Sequence, residues 1–116
     1  MRFQLIALAL ALSLSGCAIT SGLTIEPGET FVLGGDQRGA FTVELLNTGS
    51  VEIEVAEVTV AEDTLRVARL APGEVARAHF GARSAALIIN RGDVDVTVRA
   101  TIRGDTNVGM GYAQTR

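Results

Sequence analysis

The 116-residue chain has no lysine and no tryptophan, and only one tyrosine, one histidine, one cysteine and two prolines. Each scarcity excludes something. With aromatic residues at 4% and Tyr112 the sole tyrosine, a stacking platform for bases or sugars has no material to build on. A net charge of −3 argues against nucleic acid and against polybasic attraction to a membrane surface, both of which need clustered cations. A single cysteine excludes an internal disulfide. In an exported chain it would be an unpaired reactive thiol needing its own explanation.

What the chain does have is a marked opening. Arg2 and the amino terminus form a positive flank, and Phe3 to Leu14 is a continuous apolar run interrupted by Gln4 and Ser13. The run is well short of the roughly 20 residues that span a bilayer, and it matches the apolar core of an export signal. Leu14-Ser15-Gly16-Cys17 closes it. These four residues resemble the lipobox of bacterial lipoproteins: a branched apolar residue, a small residue, Gly or Ala, then Cys.

The resemblance covers residues 1–17 and implies that the Gly16–Cys17 bond is cut. It also implies that the Cys17 thiol carries diacylglycerol and that the new amino group is often acylated, palmitate being a usual chain. Two or more acyl chains at one residue anchor stably where one does not. Ala18, not being Asp, implies sorting to the outer membrane, facing the periplasm. The contrary view, a core helix ending in a buried thiol, conflicts with the N-terminal position, the basic start and the small residues before Cys17. The expected organisation is therefore a signal peptide over 1–16, a lipidated tether over 17–21 and a single domain over 22–116. Loss of Arg2 with the signal takes the net charge from −3 to −4.

Beyond the signal the dominant period is two. Val94, Val96, Val98, Ala100 and Ile102 share one face from Asp93 to Arg103, with charged and hydroxyl residues on the other; a helix would scatter that set. Phe41, Val43 and Leu45 alternate likewise, as do Val51, Ile53 and Val55. The next apolar positions there, Val58 and Val60, are out of phase, which predicts a bulge near Ala56 and Glu57. Ala85 to Ile89 is apolar on both faces and predicts a central strand. Pro27-Gly28 and Pro72-Gly73 suit type II turns. Asn47-Thr48-Gly49 and Asn90-Arg91-Gly92 suit hairpin loops with Gly left-handed. Val108, Met110 and Tyr112 predict a last strand, the alternative being a mobile tail.

Glu26-Pro27-Gly28-Glu29 is echoed by Ala71-Pro72-Gly73-Glu74, and the segment 45–55 by 88–98, at offsets of 45 and 43. Either the domain is an internal duplication or similar turns converged. Both versions predict an all-β antiparallel sandwich of about seven to nine strands, immunoglobulin-like in arrangement.

Candidate sites are sparse. His79 lies out of phase with Ala76, Ala78 and Phe80 and is expected on a wet face. Ser84, His79 and Asp36 could form a hydrolase triad, but no nucleophile-elbow motif accompanies them. Asp93 and Asp95 could meet Asp105 or Glu54 around Ca²⁺, though alternating carboxylates are the usual wet face of a strand. Arg91-Gly92-Asp93 matches an integrin-binding tripeptide by chance within a turn. Gly34, Gly35 and Gly39 do not open a helix, so they form no phosphate loop.

These observations predict no catalytic or metal residues and no cofactor apart from the lipid on Cys17. The expected role is a non-enzymatic structural or interaction module of the cell envelope, with an envelope protein as partner. The alternative is a small-ligand or ion binder using the segments Gly34–Gly39 and Asp105–Gly111.

Overall fold

The computed structural model describes residues 18–114. Leu14, Ser15, Gly16 and Cys17, which carry the expected cleavage and lipid attachment, lie outside the described residues.

Among the described residues nine strands follow one another: β1 (Ala18–Ile25), β2 (Glu29–Gly34), β3 (Phe41–Asn47), β4 (Ile53–Val58), β5 (Thr64–Leu70), β6 (Val75–Phe80), β7 (Ala85–Ile89), β8 (Val96–Gly104) and β9 (Met110–Gln114). They form a four-stranded sheet ordered β1-β8-β3-β6 and a five-stranded sheet ordered β5-β4-β7-β2-β9. All pairings are antiparallel. The expected tether residues 18–21 are not free: they pair with β8 as the first half of β1.

The all-β sandwich expected from the period of two is present, but its wiring is not immunoglobulin-like. In that fold the first two strands share a sheet. Here β1 and β2 lie in opposite sheets, and from β1 to β9 the β4–β5 connection alone stays within one. The order is that of a jelly roll, two interlocked Greek keys.

The alternation is explained by burial. On β8, Val96, Val98, Ala100 and Ile102 are at most 2% exposed, whereas Val94 precedes the strand and is 48% exposed. Val43 and Leu45 on β3 stand beside them in the same sheet, and Ile53 and Val55 on β4 belong to the sheet across the interior, each burial contributing about 1.5–3 kcal/mol. Phe41 and Phe80, cross-strand partners, stack at 5.2 Å and 17°. β7 is central, as its two apolar faces predict. The register shift falls between Val55 and Ala56, close to the predicted bulge, but the extra residue is Val67 on the partner strand β5. Val60 lies past β4 and is exposed.

Both Pro-Gly turns form, with Gly28 at φ 76° and Gly73 at φ 85°. Glu29 N donates to Glu26 O and Glu74 N to Ala71 O, each at 3.0 Å. The Asn-x-Gly segments are not hairpins. They carry the chain from one sheet to the other, and neither Gly49 nor Gly92 has positive φ.

The two asparagines are instead fully buried cross-links. Asn47 Nδ2 donates to Val51 O (2.8 Å) and Leu70 O (3.0 Å), and its Oδ1 accepts from Gly49 N (2.9 Å). Asn90 Nδ2 donates to Val94 O and Ile25 O (both 2.8 Å), and its Oδ1 accepts from Gly92 N (2.9 Å). Each asparagine thus ties its own half of the chain to the carbonyl before the other half's Pro-Gly turn. Exchanging β1–β4 with β5–β8 in sequence order converts β1-β8-β3-β6 into β5-β4-β7-β2. The sequence echo is therefore a structural repeat with pseudo-twofold symmetry, to which β9 is added.

Candidate functional site

Among the described residues the space between the sheets is filled by aliphatic and phenylalanine side chains. Its buried polar groups are Thr30, Gln37, Asn47, Ser84 and Asn90, so no titratable side chain is buried there. Any site has to be sought at the two loop ends or on the outer sheet faces.

One end gathers the β2–β3 segment 35–40, the β4–β5 turn 59–63, the β6–β7 segment 81–84 and the β8–β9 segment 105–109. Gln37, 3% exposed, welds two of them. Its Nε2 donates to Gly81 O (3.0 Å) and Ser84 O (2.9 Å), and its Oε1 accepts from Gly35 N (2.7 Å). The Asp105 carboxylate accepts from Gly39 N (2.8 Å) and Asn107 N (3.0 Å). The backbone N–H groups of Asn107, then Gly39 and Arg38, hold that carboxyl below the usual carboxylate range. Gly34 N donates to Gly109 O at 2.8 Å. The segments proposed from sequence to hold a ligand between them do meet here, but the side chains of Gln37 and Asp105 are spent on bonds to the backbone of these loops.

The triad candidates are not assembled. His79 is exposed and its Nδ1 is 3.1 Å from Thr42 Oγ1, Ser84 is buried, and Asp36 is exposed on another loop. No hydrogen bond joins the three. The carboxylates suggested for Ca²⁺ are not assembled either, and among the described residues no group of three or more His, Cys, Asp or Glu is placed to hold a metal ion. Glu54 receives Arg91 Nε at 2.7 Å and Arg66 Nε at 3.1 Å. Arg91 first and then Arg66 lower its titration point against the opposing effect of burial. The Arg91 of the Arg-Gly-Asp tripeptide is therefore engaged within the chain.

A depression of about 420 Å³ lies on the outer face of the β1-β8-β3-β6 sheet, lined by Thr20, Glu44, Leu46, Val75, Arg99 and Thr101. Registers build it row by row. Thr20, Thr101, Glu44 and Arg77 stand side by side, and next to them Gly22, Arg99, Leu46 and Val75. A Cβ at Gly22 would meet nothing within 4 Å, so the floor is open there. Glu44 accepts from Arg77 Nη2 at 3.3 Å, and Thr20 and Thr101 hydroxyls are 3.3 Å apart. Arg99 has no ion pair among the described residues. Sequence reasoning placed Arg99 and Thr101 on a wet face but missed the depression, because the neighbouring strands come from distant parts of the chain.

The sandwich has two unlike sides. β1 is an edge strand of eight residues without charge or proline, and β9, the edge of the other sheet next to β2, has neither. The opposite edges, β5 and β6, carry Arg66, Arg69 and Arg77, and β5 has the extra residue Val67. Charges and bulges are the usual protection of an open sheet edge.

No family model and no curated protein matches the chain. Solved structures do. Peruvianin-I, a cysteine peptidase from Thevetia peruviana latex, superposes with a TM-score of 0.59 at 16% identity, over 85% of this chain and 57% of that one. PirA gives 0.55 at 14% identity, over 72% and 93%. An uncharacterised Klebsiella pneumoniae protein with a double-stranded β-helix domain gives 0.54 at 14%, over 85% and 75%. The chain thus spans little more than half of Peruvianin-I. At such identities the likeness concerns the fold alone, and the fold it shares with the Klebsiella protein is the one the strand order defines.

Proposed function

We propose that the protein is a lipid-anchored, non-enzymatic interaction module of the cell envelope. It is held at Cys17 on the periplasmic side of the outer membrane and engages an envelope protein through its β1 edge. The lipobox supports the anchoring. The interaction reading is carried by one observation, the contrast between the uncharged, unbulged β1 edge and the protected β5 and β6 edges. An extended partner segment can add to such an edge by main-chain hydrogen bonds, and confinement to the membrane raises its effective concentration.

The depression beside β1 favours a second reading, a small anionic ligand held by Arg99 with Thr20 and Thr101. The two separate by in-cell photocrosslinking from Thr24 on β1 and from Arg77 on β6. The interaction reading expects a discrete adduct from Thr24 and none from Arg77. Equal or absent adducts, together with a melting shift by a metabolite that Arg99→Ala abolishes, would transfer the assignment to ligand binding.

A further inference from the structure

The fold leaves no slack between the lipidation site and its first strand. β1 is paired to β8 from Ala18, opposite Arg103, and consecutive Cα atoms are about 3.8 Å apart. A lipid-bearing sulfur at Cys17 therefore holds this end of the sandwich at the membrane. The same end carries the segments 35–40, 59–63, 81–84 and 105–109, since Phe41 lies between Phe80 and Gly104, and Val58 pairs with Ala85. The Gln37 and Asp105 cross-links keep three of these segments from folding aside. Arg83 N is bound to Gln37 O at 3.0 Å.

The chemistry of the two ends differs. At the loop end Arg38 and Arg83 are exposed and have no ion pair among the described residues, and Arg103 lies near the end of β8, opposite Ala18. The acids there are Asp36, Glu62, Asp63 and Asp105, so charges nearly balance. Val60, 60% exposed, projects from the tight β4–β5 turn, and Ile19, 40% exposed, lies at the opposite corner of the same end, on the β1 edge. The opposite end carries Glu26, Glu29, Glu52, Glu54, Glu74, Asp93 and Asp95 against Arg69 and Arg91, and Arg91 is paired with Glu54. An anionic bilayer repels that end more strongly than the loop end.

We propose that the loop end is a bilayer-contact surface, with Arg38 and Arg83 against phospholipid phosphates, Val60 among the headgroups, and the acidic end directed away from the membrane. This rests on the lipid-anchor reading and adds an orientation to it.

The test uses the lipidated protein reconstituted in phosphatidylethanolamine–phosphatidylglycerol vesicles that contain a headgroup-nitroxide lipid. Lipid blocks Cys17, so a fluorophore can be placed at Ala82→Cys in the loop end or at Ser50→Cys in the acidic end. The nitroxide should quench the first label severalfold and leave the second unchanged. Arg38→Ser with Arg83→Ser should reduce the quenching at position 82 at least twofold, since each arginine near an anionic surface changes partitioning by roughly fivefold. Protein that floats with the vesicles while both labels are quenched equally, or neither is, overturns the docked orientation. Unaltered quenching in the double variant overturns the role of the two arginines. Protein that does not float overturns the anchor itself, and the docking with it.

Discussion

Replacing Asn90 with alanine tests whether the crossover asparagines hold the two halves of the sandwich together. The side chain is fully buried and makes three hydrogen bonds, to Ile25 O, Val94 O and Gly92 N. Truncation orphans all three backbone groups. An unsatisfied buried polar group costs about 1–3 kcal/mol, while the desolvation of the amide itself is recovered, so a net loss of about 3 kcal/mol is expected. For a domain of this size that lowers Tm by about 12–24 °C.

The repeat supplies an internal control, since Asn47→Ala removes an equivalent set of bonds and should agree within about 1 kcal/mol. Exposed Asn107→Ala, which keeps its backbone bond to Asp105, should stay within about 0.5 kcal/mol of the parent. Asn90→Asp preserves shape but sets a carboxylate oxygen against two carbonyls. Its pKa is then raised in the folded state, which binds more protons than the unfolded one, so stability falls as pH rises through that interval. Urea unfolding of a non-lipidated mature chain at several pH values reads all of these. A loss below about 1 kcal/mol for Asn90→Ala would refute the assigned role.

Other outcomes follow from the same structure. Because Glu54 has its titration point lowered by Arg91 and Arg66, its contribution is complete above the unfolded carboxyl's value near 4.3. It is lost as pH falls through the folded value, so the unfolding curves of Glu54→Gln and the parent should converge in acid. The difference at neutral pH should stay below about 1 kcal/mol, since the arginines are 56% and 61% exposed. Gly104 sits at φ 94°, and a Cβ there would lie 2.8 Å from Ala40 O. Gly104→Ala should therefore cost about 3 kcal/mol in calorimetry, against about 1 kcal/mol for Gly28→Ala, where the space is open. Phe80→Ala should cost about 3–5 kcal/mol, measurable by the same unfolding assay.

Face assignment was legible in the sequence because burial imposes a period of two wherever a strand covers a core. Val96, Val98, Ala100 and Ile102 announced β8, and the two-sided Ala85–Ile89 announced a central strand. The Pro-Gly turns were legible because Pro and Gly set backbone angles locally. Sheet membership was not, since alternation says which side chains point inward and nothing about which neighbour a strand pairs with; hence the jelly roll where an immunoglobulin-like order was expected. Asn47 and Asn90 look like turn residues because asparagine tolerates left-handed backbone, yet their amides serve as buried cross-links across 23 and 65 residues. The depression around Arg99 was illegible for the same reason as the wiring, being assembled from β1, β8, β3 and β6.

Anchoring at position 17 is tested most directly by intact-mass analysis of the protein extracted from cell membranes. A species starting at Cys17 and bearing thioether-linked diacylglycerol, absent from the Cys17→Ser variant, is the predicted result. A membrane-free chain that retains residues 1–16, or one with a free Cys17 thiol, would contradict it.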